Sequence, residues 1–237
     1  MQRVLLSRLL QSDSTECQTG AGYRCQRHSR QSTLQDFETV NDWYAVAIGY
    51  LSGTLPAAFL LCKVIYKKDI RTVGSGNPGT TNVFRVFGWK PALVVLVLDM
   101  LKGMIPVLLV FECGLNSALF AAFSAFLGHV FPFYAPTKGG KGVATAAGSF
   151  IILAPVPLIV SLAVYALIVC TLKIGSLASL AGALTLCMSS FFMAERSVFY
   201  FSMLLTLSIL LTHRSNIQKL WKGSETKVNR NPKDMNE

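Results

Sequence analysis

The sequence predicts an all-α, polytopic integral membrane protein of about seven transmembrane helices, some of them short, with the N-terminus outside and the C-terminus cytoplasmic. Three observations lead there. Hydrophobic residues make up 52% of the 237-residue chain and charged residues only 14%, about half of the roughly 25% usual in soluble domains. Apolar windows near the ~20 residues that span a hydrocarbon core recur from about residue 43 to residue 212. Runs such as ALVVLVL, Ala92 to Leu98, are continuously apolar, whereas strands of a transmembrane barrel alternate apolar and polar residues.

Residues 1–40 differ from everything after them, with five arginines, many Ser, Gln and Thr, and no apolar run of helix length. They read as a disordered or removable extension, and an arginine-rich, acid-poor start is also the composition of an organelle transit peptide. The membrane domain is expected over 41–227, followed by a polar tail over 228–237. Spans are placed at about 43–65, 91–111, 116–135, 143–154, 156–172, 175–193 and 197–212. Pro155 and Pro157 interrupt the apolar stretch from Val143 to Leu172, so it is either one kinked helix or two short ones.

Charge chooses between six spans and seven. Loop 63–90 carries Lys63, Lys67, Lys68, Arg71, Arg85 and Lys90 against Asp69, which makes it cytoplasmic by the positive-inside rule. With seven spans the basic residues after Thr212 fall on that same side, and with six they do not. The arginines of the extension are at odds with this choice unless the extension is removed. The net charge of +10 does not point to nucleic acid, because the basic residues flank hydrophobic spans and form no aromatic-interleaved face. The six cysteines are scattered without a C-x-x-C pair, so they read as packing residues, with no metal and no cofactor implied.

Seven spans bring three polar segments to the cytoplasmic face. In the first, Asp69 to Arg85, Gly74, Gly76 and Gly79 permit positive φ and close approach, Pro78 stiffens the turn, Ser75, Asn77, Thr81 and Asn82 add hydrogen-bonding groups, and Arg85 offers a planar fork for phosphate. In the second, Gly128 to Gly148, Lys138, Gly139, Gly140, Lys141 and Gly142 form a glycine-lysine loop ahead of a helix N-terminus, an arrangement suited to an oxyanion. Its spacing is not that of a Walker A loop, so ATP hydrolysis is not implied. In the third, Thr212 to Lys227, His213 and Asn216 share a face if helical, and Glu225 is the one acid. Asp99 and Lys102, one turn apart in a hydrophobic span, are expected to pair and to brace the first loop. His129, at the end of the third span, is either structural or ligand-contacting.

The segments GSGNPGTTNVFR, GHVFPFYAPTKGGKGVATAAG and HRSNIQKLWKGSE, together with LDMLKG (Leu98 to Gly103), resemble in order and spacing the signature motifs of the bacterial acyl-phosphate-dependent glycerol-3-phosphate acyltransferases. The resemblance covers roughly residues 43–227. It implies a multi-pass enzyme of the bacterial inner membrane, active at the cytoplasmic face, that moves an acyl group from acyl-phosphate to the 1-hydroxyl of glycerol 3-phosphate. The products are lysophosphatidate and inorganic phosphate, and the partners are these substrates and membrane lipid. By similarity, Arg85 and Lys141 hold phosphate, and Ser75, His213 and Asn216 orient the acceptor. Gly139, Gly140 and Gly142 shape the acyl-phosphate cradle, with Gly74, Gly76, Asn77, Thr81, Asn82, Lys138 and His129 as further binding residues and Asp99, Lys102 and Glu225 as support. No serine or cysteine has a base and an orienting group beside it in sequence, so direct attack is expected and not an acyl-enzyme. A transporter of a phosphorylated solute is the alternative, but the inverted repeats it calls for are not found in the sequence.

Overall fold

In the computed structural model of the chain, residues 42–135 and 139–228 are described; the extension 1–40, Lys138 and the tail beyond Val228 lie outside them. The described residues hold helices and no strand. Four stretches are long and apolar enough to cross a membrane: Asp42–Tyr66, Trp89–Cys113, Pro155–Leu172 and Gly175–Met193. Arg196–Thr212 joins them if it is counted with the helix after it, from which it bends by 64°. Leu115–Val130 and Val143–Leu153 are apolar but shorter.

The first span is not the continuous helix expected. Helix α1 (42–53) stops at Thr54, and α2 (Ala57–Tyr66) starts after Pro56. Proline has no N–H to donate and drives the preceding residue out of the helical region, so Leu55 cannot continue the ladder. The carbonyls exposed at the break find side-chain donors: Tyr134 Oη donates to the Thr54 carbonyl at 2.7 Å and Lys102 Nζ to the Leu55 carbonyl at 2.9 Å. Beyond α2 a loop leads to the short amphipathic α3 (Thr80–Phe87), which the sequence reading did not foresee.

Helix α4 (Trp89–Val110) carries Pro91 in its first turn, where a missing N–H costs nothing, and Pro106 near its end. A short 3₁₀ turn leads to α5 (Leu115–Val130), and the glycine-lysine loop then leads to α6 (Val143–Leu153). Of the two readings of the stretch 143–172, two helices form: α6 ends at an extended Ala154, and α7 (Pro155–Leu172) starts with proline at its first position. Eleven residues give α6 a length of about 16 Å, well short of a hydrocarbon core of about 30 Å. The chain continues through α8 (Gly175–Met193), α9 (Arg196–Thr212) and α10 (Arg214–Trp221).

Small residues set the helix crossings. A Cβ on Gly103 would overlap the Thr145 carbonyl and one on Gly148 the Met100 carbonyl, so α4 and α6 meet backbone to backbone. Hydroxyls bind across the other crossings: Ser161 Oγ donates to the Gly182 carbonyl at 2.7 Å and Thr206 Oγ1 to the Ala183 carbonyl at 3.0 Å. Between α5, α6, α8 and α9 lies an apolar core that includes Phe126, Phe150, Leu205 and Ile209. The outward sides of α4, α7 and α9 expose Val94, Leu109, Ile159, Leu167 and Leu207, as a lipid-facing surface requires. The fold thereby holds three loops and one short helix, α3, around a polar centre.

Candidate active site

The first polar segment is fixed by one side chain. Asn82, only 1% exposed on α3, accepts from the Ser75 amide through Oδ1 at 2.8 Å and donates through Nδ2 to the carbonyls of Ile70 and Val73 at 3.1 and 3.0 Å. Both of its N–H donors and one acceptor position are used within the loop, so of the two readings open to it, loop-stabilising or ligand-touching, these bonds supply the first. Asp69 and Arg71 pair at 2.7 Å, and the hydrogen bonds from Arg71 hold the Asp69 carboxyl below the usual carboxylate range. Gly74 and Gly76 take positive φ, while Gly79 is extended and caps α3. Ser75 stands exposed on the rim of this loop.

In the glycine-lysine loop the glycines are dictated by their neighbours. Gly142, at φ 76°, lies against the Phe126 ring, and a Cβ on Gly140 would overlap His129 Nε2. His129 is buried beneath the loop, with Nδ1 3.1 Å from Thr145 Oγ1 and 3.8 Å from Asp99 Oδ1. It both braces the loop and lines the cavity beneath it, so its two readings stay open. Asp99 and Lys102 pair at 2.8 Å as expected, but they brace the break between α1 and α2 through Leu55, not the first loop. A cavity of about 310 Å³ opens among Arg71, Asp99, Lys102, His129, Gly139 and Gly140.

The remaining site residues converge on Lys141. Its Nζ donates to Asn216 Oδ1, Asn216 Nδ2 donates to Glu225 Oε1 at 2.7 Å, and Ser176 Oγ donates to the same oxygen at 2.8 Å. His213 is 2% exposed at the junction of α9 and α10. Its Nδ1 lies 2.9 Å from the Ile209 carbonyl. A carbonyl only accepts, so the proton sits on Nδ1 and Nε2 keeps its lone pair. Arg85, 8% exposed, donates through Nη2 to the Thr226 carbonyl at 2.7 Å and through Nε to the Lys227 carbonyl at 3.2 Å. Two of its five N–H groups thus hold the segment after α10, a role the sequence reading missed.

Burial governs the charges here. It pushes the Lys141 ammonium down to about 8, against the raising influence of Glu225, with Arg85 and Lys219 adding to the lowering. Burial, then Lys141, pushes His213 down to about 4. His213 is therefore neutral at physiological pH, and Lys141 is mostly charged. The site offers cationic donors beside a neutral imidazole acceptor, a combination fitted to an anion that also carries a hydroxyl. Sequence reasoning overlooked Ser176, which stands in a run of small residues like those at any helix crossing and gives no signal of its own.

The family model for glycerol-3-phosphate acyltransferase matches residues 43–223. The chain belongs to the glycerol-3-phosphate acyltransferase family. Among the family's curated members, glycerol-3-phosphate acyltransferase of Shewanella woodyi is 40% identical over 183 residues, covering 76% of this chain and 90% of the relative. Glycerol-3-phosphate acyltransferase 2 of Bacillus anthracis is 37% identical over 183 residues, 76% of this chain and 96% of its own. The crystal structure of PlsY, an integral membrane glycerol 3-phosphate acyltransferase, in its glycerol 3-phosphate form superposes with a TM-score of 0.75 at 32% identity, over 78% of this chain and 94% of that one. Its lysophosphatidic acid form gives a TM-score of 0.73 at 31% identity, with the same coverage. Family membership makes the chain an acyltransferase of an integral membrane fold and sets the transporter alternative aside.

Proposed function

We propose that this chain transfers an acyl group from acyl-phosphate to the 1-hydroxyl of glycerol 3-phosphate at the cytoplasmic face of a bacterial inner membrane. The observation that carries the reading is the convergence of Arg85, Lys141, His213, Asn216 and Glu225, from segments spread over more than half the chain, on one cationic, half-buried centre. Both substrates carry phosphate, so two anionic heads must be brought together against their repulsion, and buried cations and backbone amides supply that field. Lys141 and the donors of Arg85 not held by Thr226 and Lys227 face one phosphate. Gly139 and Gly140, above the cavity floored by Asp99, Lys102 and His129, suit the other.

In the transfer the 1-hydroxyl oxygen of the acceptor attacks the acyl carbonyl carbon, the carbon–oxygen bond to phosphate breaks, and inorganic phosphate leaves. The hydroxyl proton must go to a base. His213, at about 4, is a weaker base than a phosphate monoester, whose second ionisation lies near ~6. The acceptor's own phosphate therefore takes the proton, and His213 Nε2 orients the acceptor by accepting a hydrogen bond from its other hydroxyl, the 2-hydroxyl. Acyl-phosphate is a mixed anhydride, so proximity and charge neutralisation do the rest without an acyl-enzyme. Counting the shorter α5 and α6 with the longer spans gives seven crossings; with the N-terminus outside and the C-terminus cytoplasmic, the heads lie in the loops while the acyl chain lies among the helices.

Kinetics on His213→Ala test the proton route. A loss in kcat/KM well under the ~10²–10⁴ of general base catalysis is expected, and a loss within that range would assign the base to His213.

A further inference from the structure

We infer that Ser176 is a positioning residue of the acceptor site: its hydroxyl holds the Glu225 carboxylate, which fixes the amide of Asn216, which in turn fixes the ammonium of Lys141. The inference rests on the site's reading as the place where glycerol 3-phosphate is acylated.

Ser176 is the second residue of α8 and is 7% exposed. A serine at the start of a helix is most often a cap, but Ile174 occupies the cap position of α8 and no side chain caps it. The Ser176 hydroxyl goes instead to Glu225 Oε1, 49 residues away, at 2.8 Å. Glu225 Oε1 accepts from both Ser176 and Asn216, whereas Oε2 is buried with no partner among the described residues. Ser176 thus supplies one of the two hydrogen bonds that hold the carboxylate.

Glu225 needs such an anchor because residues 224–227 have no regular structure. The segment is tied by Arg85 to the carbonyls of Thr226 and Lys227 and by the Val228 amide to the Lys173 carbonyl, but those bonds fix its backbone. Ser176 and Asn216 are what fix the carboxyl group itself. The consequence passes to Asn216 by chemical necessity. A carboxylate only accepts and an ammonium only donates, so the amide must turn Nδ2 to Glu225 and Oδ1 to Lys141. A carboxylate free to rotate away removes the reason for that orientation, and Lys141 then loses its aim. The charged groups around Lys141 are Arg85 from α3, Lys219 from α10 and Glu225, beside the neutral His213; Glu225 alone raises its proton affinity.

The test compares wild type, Ser176→Ala, Ser176→Cys, Ser176→Thr, Glu225→Ala and the Ser176→Ala/Glu225→Ala double variant. Each is purified whole in detergent and assayed with acyl-phosphate and glycerol 3-phosphate across pH. Ser176→Ala is expected to lose about tenfold in kcat/KM for glycerol 3-phosphate, the worth of one hydrogen bond to a charged group. Its alkaline limb should move to lower pH, Ser176→Thr should recover most of the loss, and the double variant should match Glu225→Ala. Multiplying losses in the double variant would overturn the inference, as would Ser176→Ala kinetics and pH profile unchanged despite a lower melting temperature. Should Ser176→Ala not fold, Ser176→Cys, similar in volume and a weak donor, takes its place against Ser176→Thr. An inactive wild type overturns the function itself, whereas an active wild type indifferent to Ser176 overturns this inference alone.

Discussion

Lys141 keeps its charge against burial because Glu225 stands across Asn216 from it. With the ammonium at about 8, the sign of the pH dependence follows. Below that value Lys141 is protonated and holds phosphate; above it the charge is lost. The expected kcat/KM therefore falls on an alkaline limb near 8, and in Glu225→Gln, which removes the raising charge, the limb moves to lower pH. Arg85 is a second residue whose type matters. Its planar fork binds two carbonyls and still has donors left, which a lysine cannot reproduce. Arg85→Lys should lower kcat/KM by about 10² through the loss of about two charge-assisted bonds. Lys141, His213 and Asn216 were legible in the sequence because a cation, an imidazole and an amide stand out at the ends of greasy spans. Asn82 was legible as either a loop-stabilising or a ligand-touching group, but its partners were not, since they are the carbonyls of Ile70 and Val73, which any sequence possesses.

At the scale of elements, the buried pair of α4 is tied to the break in the first span. Lys102 binds both Asp99 and the Leu55 carbonyl at the break before Pro56, a carbonyl that also accepts from the Ala57 amide at 3.0 Å. Replacing Lys102 with Met leaves the buried Asp99 carboxylate without its cation, and a loss of about 3–5 kcal/mol in stability is expected. In a thermal melt in detergent, Lys102→Met should unfold well below wild type, and adding Asp99→Asn should recover part of the loss. No recovery would mean that the carbonyl of Leu55, and not the charge of Asp99, is what Lys102 serves. The long spans were readable from hydropathy because their apolar runs approach membrane length. The break at Thr54–Pro56 was passed over as one span, although Pro56 was visible, because hydropathy does not register hydrogen bonds. Helices α3 and α10 are eight residues each, below the length at which an apolar period shows against polar loop chemistry.

Across the whole molecule, the order of the segments along the chain is less informative than where the helices return them. Arg85 reaches the carbonyls of Thr226 and Lys227, 141 and 142 residues on, and that closure follows from the packing of α7, α8 and α9, which no local pattern encodes. What the sequence did carry was the joint presence of three polar segments in one greasy chain, and their resemblance to a known set of motifs named the family before the packing was seen. The side of the membrane is a separate claim. Reporter fusions after residue 228 should read cytoplasmic, and an external signal would remove the seven-span arrangement. The account as a whole stands on the reaction. Purified protein supplied with acyl-phosphate and radiolabelled glycerol 3-phosphate should release labelled lysophosphatidate and inorganic phosphate in equal amounts, with acyl-CoA unable to replace the donor; no lysophosphatidate from acyl-phosphate would contradict it.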